Sequence, residues 1–337
     1  MSVINNKLLI DGCCPDFFNS YSWYSNFVEN VVRQDNCEYC FLTEMHHEAN
    51  DYSILPVMVI GGAQGLSIKS MTNYYSPLYK ILKHGGSVVN IAELISNNFP
   101  QWSTITLDSM DDDECKKITS SINFYKNPWI KYDHFANWYL PVSGRSYDEY
   151  FASLAPRVRN TVERKAKSFG KLKNTRLTIF SDSEDIEIAN NAFQYVYNKS
   201  WKRPEPYPKF IPELIKIAAQ HDSLRMGVAY LDGVPIACQL WIVADGAAYI
   251  YKLAYDEEHK KYSAGTILTA YLMRHVIDKD RVKVVDFLSG DDAYKKEWMS
   301  HRRMRVAICI YNPLTFSGFR RMCFGLAKSI MKKMIRK

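Results

Sequence analysis

The sequence predicts an α+β fold, and the prediction rests on three observations. Two Asp-Gly pairs, Asp232-Gly233 and Asp245-Gly246, separate apolar runs of strand character, and such pairs are among the strongest signals for two-residue hairpin turns. They link Leu224–Leu231, Val234–Val243 and Ala247–Tyr255 into an antiparallel meander. Helical and strand patterns then alternate to Tyr311, and a meander that ends in β-α-β belongs to the α+β class rather than to a doubly wound sheet.

The elements follow in order. Phe17 to Val32 has helical spacing, Cys37–Leu42 and Ser53–Ile60 read as strands, and Val88–Asn98 and Asp111–Phe124 read as helices. Asp111-Asp-Asp-Glu114 suits a helix start, where the dipole favours carboxylates. Asn73 to Pro77 is a turn-rich aromatic loop. Tyr147–Leu154 predicts a short helix. Pro156 opens the next, which runs to Phe169 with Gly170 as its stop. Leu177–Phe180 is a strand, and Ile186–Lys199 and Pro208–His221 are helices. After the meander come a helix from Gly265 to Asp278, a strand Val282–Leu288, a helix Asp291–Met299 and a strand Arg303–Tyr311.

A chain of 337 residues is long for one domain and suits two packed halves, here 1–145 and 146–312, followed by a C-terminal helix over 313–337. No run of 18 apolar residues predicts a membrane span. The first residues lack a basic and then apolar leader, which places the protein in the cytoplasm. In that compartment the 8 scattered cysteines are expected as thiols. Cys37 and Cys40, followed by His46 and His47, have no second ligand pair at zinc spacing, so no metal site is expected. The net charge of +7 equals the seven basic residues between Asn312 and Lys337, a stretch with no acid. The remaining chain is neutral overall, which argues against a general nucleic-acid binder. A local basic run lies between Arg157 and Arg176, where Glu163 is the one acid.

Several motifs then resemble one superfamily. Tyr230-Leu-Asp-Gly-Val-Pro-Ile-Ala-Cys-Gln-Leu240 is similar to a hairpin of GNAT acyltransferases. Lys252-Leu-Ala-Tyr-Asp256 with Tyr262-Ser-Ala-Gly-Thr-Ile-Leu268, Asp286-Phe-Leu-Ser-Gly290 with Tyr294-Lys-Lys-Glu-Trp298, and Arg157-Val-Arg-Asn-Thr-Val-Glu-Arg-Lys165 resemble the CelD-like, cellulose-biosynthesis branch. That branch has tandem GNAT halves and is related in fold to the FemABX aminoacyltransferases. Leu55-Pro56 and Asn73–Pro77 fit its first half. The resemblance implies two GNAT-like halves, each a mixed, largely antiparallel sheet flanked by helices. It implies transfer of an acyl group from acyl-CoA, or from an acyl carrier protein, to an amine. The acceptor class it suggests is an amino sugar or a lipid-linked envelope precursor. Acyl-CoA would be a co-substrate, with no permanently bound cofactor. Two other activities fit the same fold: transfer from aminoacyl-tRNA, and a scaffold that has lost donor binding.

A phosphate group suits the start of a helix, where unpaired N–H donors and the positive dipole end converge. The donor site is therefore expected at Tyr262, Ser263, Ala264, Gly265 and Thr266, although Ser263 stands where many GNAT loops have glycine. The resemblance gives Tyr294 as general acid for the leaving group, and the strand-end carboxylates Asp256 and Asp286 are candidate bases. Lys252, Lys295, Arg159 and Arg164 are candidates for binding the substrate's anionic groups.

The last segment has apolar residues at Phe319, Met322, Cys323, Leu326, Ile330 and Met334, near helical spacing, with most of its basic residues off that stripe. Such a helix over 316–337 suits an acidic partner or peripheral contact with the inner face of a membrane.

Overall fold

The computed structural model describes residues 7–35, 37–46, 51–62, 65–85 and 90–335. In chain order the elements are α1 (Lys7–Gly12), α2 (Tyr21–Phe27), β1 (Glu38–His46), β2 (Asp51–Ile60), β3 (Leu66–Ser70), β4 (Leu82–His84), α3 (Ile91–Asn98), β5 (Trp102–Met110), α4 (Asp112–Ser120) and β6 (Trp129–Pro141). There follow α5 (Tyr147–Ser153), α6 (Pro156–Gly170), β7 (Thr175–Phe180), α7 (Ile186–Asn198), α8 (Phe210–Gln220), β8 (Leu224–Leu231), β9 (Val234–Ala244), β10 (Ala247–Tyr255), α9 (Ala264–Asp278), β11 (Val284–Ser289), α10 (Lys295–Trp298), β12 (His301–Tyr311) and α11 (Phe316–Ile335).

The chain forms two compact units, Met1–Phe135 with Met304–Lys337, and Ala136–Arg303. This corrects the linear division into 1–145, 146–312 and 313–337. Residues Val306–Tyr311 of β12 pair antiparallel with β5, and Val306, Ile308 and Ile310 fill the first unit's core. Helix α11 stays with that unit, because Gly318 and Gly325 bring it close to the sheet. A Cβ on Gly318 would lie 2.1 Å from the Asn312 carbonyl oxygen, and one on Gly325 would lie 2.3 Å from the Tyr311 hydroxyl. Within the first unit β1, β2 and β3 are antiparallel, β4 joins β2, and β3 runs parallel to β5. Its strands β3, β4 and β5 were not expected from sequence, and neither was β6. The helical stretch 17–32 is broken instead: a 3-10 turn over Phe17–Asn19 ends at Ser20, whose hydroxyl caps α2 at the Trp23 N–H, and a π turn follows at Val28–Val32. Val88 and Val89, expected to begin α3, lie outside the described residues.

The second unit contains the predicted meander. Its sheet runs β6, β11, β10, β9, β8, β7, with only β10 and β11 parallel. Both Asp-Gly turns have positive φ at each central residue, 51° and 79° at Asp232-Gly233 and 54° and 73° at Asp245-Gly246. That is the turn geometry whose twist matches flanking strands. From Ile236 to Ile242 every side chain of β9 is buried, as expected of a central strand covered on both faces. Helix α5 begins with a reciprocal cap, in which the Ser146 hydroxyl accepts from the Glu149 N–H and the Glu149 carboxylate accepts from the Ser146 N–H. Each unit thus has a mixed, largely antiparallel sheet flanked by helices.

The expected helix Asp291–Met299 shrinks to Lys295–Trp298. Gly290 has φ of +114°, and the Asp291 carboxylate turns outward to accept from the Trp138 indole at 2.7 Å and from Arg302. Arg302 and Trp138 hold the Asp291 carboxyl down at about 2.

Candidate active site

The site lies wholly in the second unit and begins with a parting of strands. β10 and β11 pair through Ala247–Tyr249 and Val284–Asp286 and no further. β10 also carries a bulge between Ile250 and Lys252 against β9. Beyond Tyr249, β10 therefore has β9 on one side and an open side where β11 has turned away.

What turns β11 away is a buried polar knot. The Asp286 carboxylate accepts from the Asn137 amide at 2.6 Å, the Leu288 N–H at 2.7 Å and the Arg303 guanidinium at 2.9 Å. Asn137 also donates to the Leu288 carbonyl and accepts from Arg303. These bonds hold Leu288 at φ +54°, a conformation a bulky side chain adopts only when its surroundings impose it.

The parting opens into a cavity of about 480 Å³. Its walls come from β10 (Leu253, Ala254, Tyr255), the start of α9 (Ser263, Ala264, Gly265, Thr266), α6 (Arg157, Val158, Thr161), and Tyr294, Glu297 and Trp298. Trp201 closes one side, its ring centroid 4.5 Å from that of Tyr255. The size is ordinary for a small-molecule or cofactor site.

The start of α9 is the chemically distinctive wall. Ser263 sits in the left-handed region at φ 55°, and its hydroxyl does not cap the helix. The Thr266 and Ile267 N–H groups bond back to the Ser263 carbonyl, and Ala264 and Gly265, which precede them on the cavity wall, have no cap from the Ser263 side chain. Gly265 is not demanded by packing, since a Cβ there would meet only the Tyr255 ring, at 3.7 Å. Arg157, Lys260 and His259 add positive charge or hydrogen-bond donors around the start of α9.

Two buried side chains fix this wall. Gln239 donates to the Gly265 carbonyl and to the Thr269 hydroxyl, each at 2.8 Å, and accepts from the Trp241 indole at 2.9 Å. Asp256 accepts from the Glu258 N–H at 2.9 Å and from His259 Nδ1 at 3.0 Å. Neither Gln239 nor His259 was singled out from sequence. The signal for Gln239 was present: one amide in an otherwise apolar strand. His259 carried no signal, because its partner and its place on the wall depend on the turn over Glu257–Tyr262. Replacing Gln239 by Leu would strand the Trp241 indole and take one donor from the Gly265 carbonyl, which keeps the Thr269 hydroxyl at 3.0 Å. It is expected to cost about 2–3 kcal/mol in urea unfolding and to weaken any ligand held at the start of α9.

Of the residues expected at the site, Ser263, Ala264, Gly265, Thr266 and Tyr294 line the cavity. Tyr262 stacks on His259 behind the wall. Asp256 and Asp286 do not line the cavity; both are buried, and their oxygens are occupied as described above. Lys252 lies on the other face of β10 from Leu253, paired with Glu205 at 2.7 Å. Lys295 is buried, its ammonium donating to the Phe287 and Ser289 carbonyls, and burial lowers its pKa. Arg159 and Arg164 lie on α6 outside the cavity wall, Arg164 exposed. Tyr294 is 39 % exposed, with its ring edge-on to Phe287, and burial pushes its hydroxyl up to about 12. All eight cysteines are free, and among the described residues no group of three or more His, Cys, Asp or Glu is placed to hold a metal ion. His47, part of the motif considered above, lies outside the described residues.

Residues 156–296 match the profile of a family described as acetyltransferase (GNAT) domain. The matched residues lie within the second unit, Ala136–Arg303. Among solved structures, the chain is similar to FemX, with a TM-score of 0.62 at 9 % identity over 93 % of this chain and 96 % of that one. It is similar to the C-terminal domain of a putative lysylphosphatidylglycerol synthetase from Agrobacterium fabrum, with a TM-score of 0.57 at 11 % identity and 95 % coverage of each chain. It is also similar to a conserved protein of unknown function from Bacteroides thetaiotaomicron, with a TM-score of 0.56 at 7 % identity over 92 % of this chain and 98 % of that one. At these identities the likeness is one of fold. No curated protein matches the chain in sequence.

Proposed function

We propose that the protein is a cytoplasmic N-acyltransferase that moves an acyl group from acyl-CoA, or from an acyl carrier protein, to an amine. The uncapped start of α9, opening at Gly265 into the cavity, is the observation that carries this reading. The donor's phosphates sit on the first N–H groups of α9, with Arg157 and Lys260 beside them. The acyl carbonyl reaches the open side of β10, where backbone N–H groups near Leu253 and Ala254 stabilise the oxyanion. The neutral amine attacks the carbonyl carbon, the C–S bond breaks, and the amine's proton passes through water to balance the thiolate. Asp256 and Asp286 are held in structural bonds, so water takes the part of base, and Asp256 serves by positioning His259. An amino sugar or lipid-linked envelope precursor is the acceptor class suggested by the CelD-like motifs.

Tyr294 donates a hydrogen bond to the departing thiolate. With its pKa near 12 it stays protonated across the physiological range. Tyr294→Phe should therefore lower kcat by about a hundredfold while leaving the shape of the pH profile between about pH 6 and 9 unchanged. An unaltered kcat would remove Tyr294 from the reaction.

The test of the whole reading is a thermal-shift titration with acetyl-CoA and longer acyl-CoA species. A ligand of the folded state raises stability as its concentration rises. A second reading, transfer from aminoacyl-tRNA, is favoured by the exposed basic residues along α6, Arg157, Arg164 and Lys167, and by the likeness to FemX. Absence of any shift with acyl-CoA, together with transfer from charged tRNA, would replace the first reading with the second.

A further inference from the structure

Helix α11 leaves an apolar face uncovered, and we propose that this face docks the protein on an anionic lipid surface. Its inward side is used up by Gly318, Met322, Gly325 and Leu326, and by Arg321, which donates to the Ser67 and Thr104 hydroxyls at 2.6 and 3.1 Å. At about 100° per residue, Phe316, Phe324, Met331 and Met334 share the opposite side. They are 84 %, 73 %, 58 % and 71 % exposed, and Leu314 just before the helix is 87 % exposed. The stripe expected from sequence is thus split: Met322 and Leu326 turn inward, and the outer ridge is built largely from residues outside it. Exposed Arg320 lies among these residues on the same side of the helix, and exposed Lys328 lies at its edge. The side chains of Lys332 and Lys333, and residues Arg336 and Lys337, lie outside the described residues.

Charge selects the occupant. From Asn312 to Lys337 the chain has seven basic residues and no acid. Two copies of this face would repel each other. An acidic protein would match the cations, but it would need an apolar groove about 30 Å long to take the phenylalanine and methionine ridge as well. A lipid interface with acidic headgroups accepts both, the apolar chains among the acyl chains and the cations at the phosphates. No described helix is long and apolar enough to cross a membrane, so contact is in the plane of the surface. The proposal holds whatever the cavity in the second unit binds.

The test is cosedimentation of the full chain with phosphatidylcholine vesicles, with and without phosphatidylglycerol. The wild type should pellet with the anionic vesicles, less as salt rises, and stay in solution with the neutral ones. Phe324→Glu/Met331→Glu changes only exposed positions, so its unfolding curve should match the wild type while its partitioning falls by about a hundredfold or more. Arg320→Glu/Lys328→Glu should fold equally well and lose the preference for anionic vesicles. A wild type that stays in solution with anionic vesicles, or a Phe324→Glu/Met331→Glu variant that binds undiminished, overturns the proposal. So does a wild-type dimer in lipid-free solution that this variant dissolves, since the face would then belong to a second copy.

Discussion

Gly265→Val should abolish donor binding while leaving the protein folded. A Cβ at Gly265 touches only the edge of Tyr255, at an ordinary 3.7 Å, and the residue's backbone does not require glycine. Removing a glycine from a helix gains up to about 0.5–1 kcal/mol, so the melting temperature should hold or rise slightly. The isopropyl group would instead stand over the first N–H groups of α9, where a phosphate needs direct approach. Loss of two charge-assisted hydrogen bonds predicts a fall in affinity of about 100- to 10,000-fold. Titration calorimetry with coenzyme A, the part of the donor that carries the phosphates, measures it. A Kd within about threefold of wild type would show that the donor does not use the start of α9. Gly265→Ala serves as the graded control, with a smaller loss and the same stability.

Asp286→Ala should cost the second unit about 2–4 kcal/mol, among the largest single-site effects expected away from its apolar core. The substitution removes three hydrogen bonds at once. It leaves the buried Leu288 N–H without its acceptor and takes the counter-charge from Arg303. Arg303 is partly exposed and its face lies over Tyr139, so water softens the loss, which keeps the estimate below that for a fully buried pair. With the knot gone, Leu288 has less to hold it at positive φ, and the parting of β10 and β11 should relax. Guanidinium unfolding gives the stability. The companion variant Asp286→Asn separates support from chemistry. Should it fold like the wild type and yet lose turnover and its pH dependence, Asp286 would be acting as a base after all.

The meander was legible because its signals are local. Asp-Gly pairs admit the positive φ that a tight hairpin needs, and the apolar runs on either side set the register, so β8, β9 and β10 stand where the residues imply. The start of α9 was legible for the same reason: a helix was expected from Gly265, and α9 begins one residue earlier, at Ala264. The strands of the first unit were harder, because β5 mixes serine, threonine and aspartate with its apolar residues and is recognisable as a strand mainly through its partners β3 and β12.

The sequence by itself determined the α+β class, the hairpins, and five residues of the cavity wall. Tertiary structure decided what the charged residues do. Asp286 looked like chemistry as a carboxylate at a strand end, Lys252 as a lysine in the middle of a strand, and Lys295 as a cation able to meet an anionic substrate. Each instead meets a specific partner brought in from elsewhere in the chain or from a turn: Asn137 and Arg303, the Phe287 and Ser289 carbonyls, and Glu205. A buried charge must be paired, and the identity of its pair is a fact of folding rather than of spacing. The same holds for β12 and α11, which follow the second unit in sequence and yet complete the first, because β12 finds its hydrogen-bond partner in β5, about two hundred residues earlier.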